Sequence, residues 1–160
     1  MQKIMFKVAL LTALIVAGSG VQAVEESQYV DLFRRMPIVL SVGRDNVTLL
    51  DQQFPLKYCS GDAAFICVTS DVLRFAIPKR DPIPKNWSYE GADYEIVRDG
   101  EVFLNGKIVS YQAIRQKWKG QVTEYAYSAG RGVIAIKSKD GGQLFLSTGC
   151  GFAVGARQDC

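Results

Sequence analysis

Residues 94–109 read YEIVRDGEVFLNGKIV, and this stretch decides the fold class. It contains short apolar runs at 94–97, 101–104 and 108–109, separated by turn residues. Asn-Gly between two such runs, here Asn105 and Gly106, is the strongest short-range signal of a two-residue hairpin turn. The residues at 98–100, Arg-Asp-Gly, predict a second turn. The stretch therefore predicts consecutive antiparallel strands.

The same spacing of apolar runs and turns continues along the rest of the chain. No alternation of strands with long helices occurs, which argues against a parallel α/β fold. We predict a mainly β fold, an antiparallel sandwich or barrel of about eight short strands. Beyond 94–109, the candidate segments from which these strands are drawn are 37–43, 47–50, 56–59, 65–69, 72–77, 122–127, 133–137 and 143–148.

A short N-terminal helix is predicted over residues 25–36. Its apolar residues recur at helical spacing, two acidic residues suit its positive end, and Pro37 ends it. The apolar residues are Tyr29, Leu32, Phe33 and Met36.

The segment 110–119 is ambiguous between helix and strand. Tyr111, Ile114 and Trp118 fall on one helical face, and Ser110 is placed to cap it. Because strand alternation fits worse here, a short helix or an irregular segment is favoured.

The N-terminus has the three parts of a cleavable secretory signal at residues 1–23. Lys3 and Lys7 precede a largely apolar run at 8–17, and small residues end the segment at Ala23. The apolar run has half the length that a membrane span needs. We therefore expect a single β-rich domain at 24–160 that is periplasmic or secreted, with no membrane span after cleavage.

Four cysteines follow the predicted signal, and an even count in an exported chain predicts two disulfides. We favour Cys59–Cys67 and Cys150–Cys160. If a three-residue turn centres on Ala63, Cys59 lies opposite Cys67 across a hairpin, within bonding distance. A pairing that links the two halves of the chain stays open.

Composition excludes several functional classes. The chain has no histidine, so Ser-His-Asp and Cys-His catalysis and the usual zinc ligand are missing. Without its first 23 residues the chain has 17 basic and 16 acidic residues, a net charge of +1. That balance argues against nucleic-acid binding, which needs a clear basic excess. We predict no cofactor and no bound metal.

The proline-rich stretch 78–89 is the predicted contact surface. Its first part, 78–85, holds three of the five prolines and should form an extended, exposed connection. Aromatic and cationic residues together are enriched at protein interfaces. The candidate binding residues in this stretch are Arg80, Lys85, Trp87 and Tyr89.

Two further candidates lie elsewhere in the sequence. Trp118 stands among Arg115, Lys117 and Lys119, although a core tryptophan with solvated neighbours gives the same pattern. Arg131 lies between two glycines at a predicted turn, where it is placed to contact an anionic partner or simply to face water.

Carboxylates cluster around one predicted hairpin, at Asp93, Glu95, Asp99 and Glu101. A pair of carboxylates about 5–10 Å apart can hydrolyse glycosidic bonds. A charged hairpin surface explains the same cluster.

We expect an exported, non-catalytic binding protein of the periplasm or cell surface, an inhibitor or immunity factor that acts on another protein. In size, export, β content and paired cysteines the chain is loosely similar to periplasmic lysozyme inhibitors and secreted immunity proteins. This likeness is one of class alone. The alternatives are an envelope-polymer hydrolase that uses a carboxylate pair and a structural accessory in envelope assembly. The oligomeric state is not predicted.

Overall fold

The computed structural model describes residues 26–31, 38–59, 64–139, 142–147 and 149–153. The predicted signal at 1–23 and Cys160 lie outside these ranges. The described residues form thirteen strands and no helix, and none of their elements is a helix long and apolar enough to cross a membrane.

The strands run in chain order as follows: β1 Ser27–Val30, β2 Val39–Val42, β3 Asn46–Leu49, β4 Gln52–Pro55, β5 Lys57–Tyr58, β6 Phe65–Thr69, β7 Arg74–Pro78, β8 Asn86–Tyr89, β9 Ala92–Leu104, β10 Lys107–Trp118, β11 Gln121–Ser128, β12 Gly132–Ser138 and β13 Gln143–Leu146.

These strands form two antiparallel sheets. Ten lie in one sheet in the order β4-β3-β2-β1-β13-β12-β11-β10-β9-β8, and β5, β6 and β7 form the other. Most neighbours are also consecutive in the chain, joined by tight turns. The exception is β1, which pairs with β13 and so brings the two ends of the described chain together. The predicted mainly β, antiparallel class is confirmed, with thirteen strands in place of about eight.

The predicted N-terminal helix is wrong over Ser27–Val30, which is strand β1. Ser27 and Tyr29 are buried while Gln28 is exposed, so the burial follows the two-residue period of a strand. Hydrogen bonding to β2 on one side and β13 on the other outweighs the helical spacing. Leu32, Phe33 and Met36 lie outside the described residues.

The helix or irregular segment predicted at 110–119 is also wrong, because Lys107–Trp118 is one long strand, β10. It pairs with β9 and β11 along its length. The register shifts between Ala113 and Ile114, leaving Val97 as an extra residue on β9, and both Ala113 and Ile114 are buried. This bulge interrupts the alternation, which is why the strand pattern is hard to see in the sequence.

No turn occurs at 98–100; β9 continues through it to Leu104. Gly100 lies opposite Tyr111, and a Cβ at Gly100 would stand 2.6 Å from the Tyr111 ring. The glycine thus makes room for an aromatic ring on the neighbouring strand. The turn predicted at Asn105 and Gly106 is confirmed, and both residues have the positive φ that a type I′ turn requires.

The predicted disulfide Cys59–Cys67 is confirmed. Pairing of Tyr58 with Val68 places the two cysteines opposite each other, as the spacing predicted. It is the single disulfide placed wholly among the described residues. The pairing Cys150–Cys160 stays a prediction, since Cys160 lies outside them.

Strand β7 packs the small sheet against the large one. Phe75 is fully buried, and its ring contacts Tyr125 and Tyr127 of β11 and Phe152 near the C-terminus, with ring centroids 5.0–6.0 Å apart. The backbone carbonyl of Arg74 accepts hydrogen bonds from the Tyr125 hydroxyl at 2.7 Å and the Gln116 amide at 2.8 Å. The main core therefore lies between β7 and the centre of the large sheet.

Residues 149–153 cross the start of β12 at very short range. The Gly151 amide donates to the Arg131 carbonyl, and the Val133 amide donates to the Phe152 carbonyl. Tyr29 joins this crossing from β1, since its hydroxyl donates to the Val133 carbonyl at 2.7 Å and accepts from the Phe152 amide at 3.1 Å. A Cβ at Gly151 would lie 1.7 Å from the Val133 carbonyl oxygen.

We predict that Gly151→Ala lowers the free energy of unfolding by more than about 3 kcal/mol, because backbone must move to admit the methyl group. Gly120→Ala is the matched control. That position has a positive φ and no atom within 4 Å of the added Cβ, so the expected loss is about 1–2 kcal/mol. Urea unfolding measures both values, and equal losses would contradict the close crossing.

Alkaline pH should unfold the protein as its core tyrosines ionise. Burial raises the pKa of Tyr29 and Tyr125 above its ordinary value near 10, and raises the pKa of Tyr94 to about 12. Folding thus favours the neutral phenols, so this stability is complete below pH about 10 and is lost as the pH rises towards 12 and beyond.

Phenolate absorbance and circular dichroism, followed together, test this prediction. Ionisation of the buried tyrosines should coincide with loss of strand signal. Titration of all seven tyrosines in a single step near pH 10, with the strand signal unchanged, would contradict it.

Candidate functional site

The connection between β7 and β8, residues 79–85, is anchored at both ends. The Lys79 amide donates to the Ala64 carbonyl, and the Ile96 amide donates to the Lys85 carbonyl, both at 2.8 Å. The Asp81–Pro82 peptide bond is cis. Of the predicted contact stretch, only 79–85 is therefore a connection, tied to Ala64 just before β6 and to Ile96 on β9, whereas Pro78 ends β7 and 86–89 form β8.

Trp87 is held in one orientation by contacts with two neighbours. It lies on β8 opposite Tyr94, and the two rings stack with centroids 5.5 Å apart and planes within 3°. Its indole N–H donates to the Ala76 carbonyl on β7 at 2.9 Å. The ring is half-buried, so it contributes to packing and still presents an edge to solvent.

Tyr89 follows on the same side of β8 and covers the disulfide. Its hydroxyl lies 3.2 Å from Cys67 Sγ and 3.6 Å from Cys59 Sγ, and its ring packs against Phe65 at 4.8 Å. Because Phe65 begins the strand that carries Cys67, the disulfide and Tyr89 together position the Phe65 ring.

These elements form an open cleft of about 480 Å³, which we call the aromatic-proline cleft. Its lining is largely apolar, with cationic residues at the rim. Phe65 and Pro78 face each other across the β6–β7 pair. The lining residues are Ala64, Phe65, Pro78, Lys79, Arg80, Pro84 and Trp87.

The rim of the cleft is cationic. Arg80 and Lys85 are exposed, and within the described part of the chain neither forms an ion pair. Asp81, also exposed, is the carboxylate of the same connection. An unpaired guanidinium beside an apolar surface is well suited to contact an acidic partner.

The structure brings together four of the six predicted binding residues. Arg80 and Trp87 line the cleft, Tyr89 supports its Phe65 wall, and Lys85 lies on the connection that forms its edge. The Phe65 wall was not predicted from the sequence. The consecutive predicted strands 65–69 and 72–77 could have indicated it, since their antiparallel pairing brings Phe65 opposite Pro78.

Trp118 and Arg131 lie outside the cleft. Two of the protein's own cations lie over the indole of Trp118, with Arg74 Cζ 4.7 Å and Lys119 Nζ 4.6 Å from the ring centroid. Arg131 is 5% exposed and offers almost no surface to a partner. A binding role for Trp118 and for Arg131 stays a prediction.

The acidic cluster is divided between the two faces of β9. Asp93 accepts from the Ser88 hydroxyl at 2.7 Å, and Glu95 lies 3.8 Å from Arg115. The bulge at Val97 places Asp99 and Glu101 on the opposite face. The four carboxylates therefore do not form one cluster.

Two exposed apolar side chains, Phe103 and Ile108, form a second feature that the sequence analysis missed. They are 73% and 70% exposed and lie opposite each other beside the Asn105-Gly106 turn. Residues 102–104 are all apolar, so both faces of the strand carry apolar side chains here, and this run was the available signal in the sequence. No group of three or more metal-binding side chains occurs within the described ranges.

Comparison of the chain with models of protein families, with curated proteins and with solved structures found no match.

Removal of the disulfide tests its role in the cleft. We predict that replacing Cys59 and Cys67 together with alanine lowers the free energy of unfolding by about 2–3 kcal/mol, given the short loop that the bond closes. The loss should be measured by urea unfolding. A double variant as stable as the parent would show that hydrogen bonding between β5 and β6 alone holds this edge.

Proposed function

We propose that the chain is an exported, non-catalytic binding domain that recognises another protein molecule through the aromatic-proline cleft. The observation that carries the proposal is that Trp87, half-exposed and held by Tyr94 and Ala76, lines one apolar cleft together with Arg80. Lys85 lies on the connection beside the cleft, and neither cation forms an ion pair with a described residue. Aromatic and arginine side chains in a fixed arrangement are the residues that dominate protein interfaces.

The shape of the cleft favours a protein over a small molecule. Sites for small ligands enclose most of the ligand and place a few polar groups inside. Here the lining is open and its polar groups lie at the rim. A protein surface that presents an apolar side chain flanked by carboxylates would match both the apolar lining and the cationic rim of the cleft.

The predicted signal and the Cys59–Cys67 disulfide support a location in the periplasm or outside the cell. In that compartment a binding domain without catalytic groups suits an inhibitor or immunity factor. The separation of Asp93 and Glu95 from Asp99 and Glu101 weighs against the carboxylate-pair hydrolase.

A structural accessory in envelope assembly is the second candidate function. The exposed pair Phe103 and Ile108 favours it, since such an accessory must present apolar surface for docking. The two candidates differ in what the cleft binds: another kind of protein in the first case, and a component of the assembly in the second.

Photo-crosslinking in the native host tests the proposed function. We predict that benzoylphenylalanine in place of Arg80 gives a discrete protein adduct, and that Lys85→Glu in the same chain lowers its yield several-fold. The control carries benzoylphenylalanine at Asp51, an exposed residue in the β3–β4 turn at the other end of the strand order. No adduct from position 80, or the same adduct from both positions, would refute the proposal.

A further inference from the structure

The tip of the β9–β10 hairpin presents an apolar pair to solvent. Phe103 and Ile108 lie directly opposite each other across the last pairs before the turn. At 73% and 70% exposure they are the most exposed large hydrophobic residues among those described. Single exposed apolar residues are common on protein surfaces. Two of them side by side on opposed strands, at the end of a long hairpin, form a small apolar patch suited to docking.

The same face of the hairpin is acidic behind the tip. The register is regular from Lys107 to Ala113, so side chains alternate and Asp99 and Glu101 share the face of Phe103. Glu101 is exposed and forms no ion pair with any described residue. Asp99 accepts a hydrogen bond from the Gln112 amide at 3.3 Å. The hairpin tip is therefore an apolar end followed by carboxylates.

The aromatic-proline cleft has the complementary character. Its floor is apolar and its rim carries Arg80, with Lys85 on the same connection. An apolar tip with an acidic base matches an apolar cleft with a basic rim, both in hydrophobicity and in sign of charge. The chain thus displays both halves of one interface.

We propose that the chain self-associates by inserting the hairpin tip of one copy into the aromatic-proline cleft of another, with Glu101 facing Arg80. This inference rests on the proposed function, which makes the cleft a protein-binding site, and it names a second copy as the occupant. A lipid surface fits the tip less well, because Asp99 and Glu101 would meet anionic headgroups.

The contact joins two different surfaces of the chain. If each copy offers its tip to the partner's cleft and receives the partner's tip in return, the contact closes as a dimer. If the orientation does not allow this, the same contact extends into a chain of copies. In both cases the loss of either surface abolishes association.

Sedimentation of the purified chain without residues 1–23, from micromolar to several hundred micromolar, tests the proposal. We expect concentration-dependent association. Replacing both Phe103 and Ile108 with serine should weaken it at least ten-fold, whereas Leu50→Ser, a matched change at a 60% exposed leucine, should leave it unchanged. Unchanged circular dichroism and thermal unfolding would confirm that each variant folds.

Charge reversal identifies the pairing of the two surfaces. Arg80→Glu and Glu101→Arg should each weaken association at least ten-fold, and the double variant should restore it. An equimolar mixture of the two single variants should also associate, because one keeps an intact tip and the other an intact cleft.

A purified chain that stays monomeric throughout would overturn the inference. So would association that the tip variant leaves unchanged, or association that each single charge reversal weakens and the double reversal does not restore. The photo-crosslinking experiment separates this failure from that of the proposed function. An adduct with a different protein from position 80, together with a monomeric purified chain, would retain the binding site and reject self-association.

Discussion

Strand β7 is the element on which the rest of the structure depends, because it joins the two sheets through its backbone as well as its side chains. The carbonyl of Arg74 accepts hydrogen bonds from Tyr125 and Gln116 of the large sheet, and the carbonyl of Ala76 accepts one from Trp87. A buried carbonyl without a partner is costly, so these bonds restrict how the sheets can slide. Phe75, between them, fills the space with its aromatic contacts.

This constraint also shapes the candidate site. Because Trp87 bonds to β7 and stacks on Tyr94 of β9, it cannot turn away when a partner approaches. The disulfide and the Tyr89 side chain that covers it likewise hold the Phe65 ring in place. A cleft whose aromatic walls are already ordered loses little conformational entropy on binding. The hairpin tip differs, since Phe103 and Ile108 are largely exposed and have few neighbours within their own copy.

Features that depend on residues close together in the chain were predicted correctly, whereas features that depend on distant residues were not. The Asn105-Gly106 turn and the opposition of Cys59 to Cys67 depend on residues within one hairpin, and both were predicted correctly. The helix at 25–36 failed over β1 because its strand pairs with β13, more than a hundred residues away. The prediction for 110–119 failed because the bulge at Val97 of β9 shifts the register opposite this segment and interrupts its alternation, and a bulge in the neighbouring strand leaves no signal in the segment itself. The candidate stretch 78–89 was found from composition, but its Phe65 wall comes from another strand.

By itself the sequence determined the antiparallel β class, the position of the tight turn, one disulfide and the absence of histidine chemistry. These properties follow from residue type and from contacts between near neighbours in the chain. Only the tertiary structure decided that Trp87 is fixed while Arg131 is buried, that the carboxylates of β9 separate onto two faces, and that Phe103 and Ile108 reach solvent. Exposure depends on which distant strand packs over a residue, and a strand that is apolar on both faces does not specify which face another element will cover.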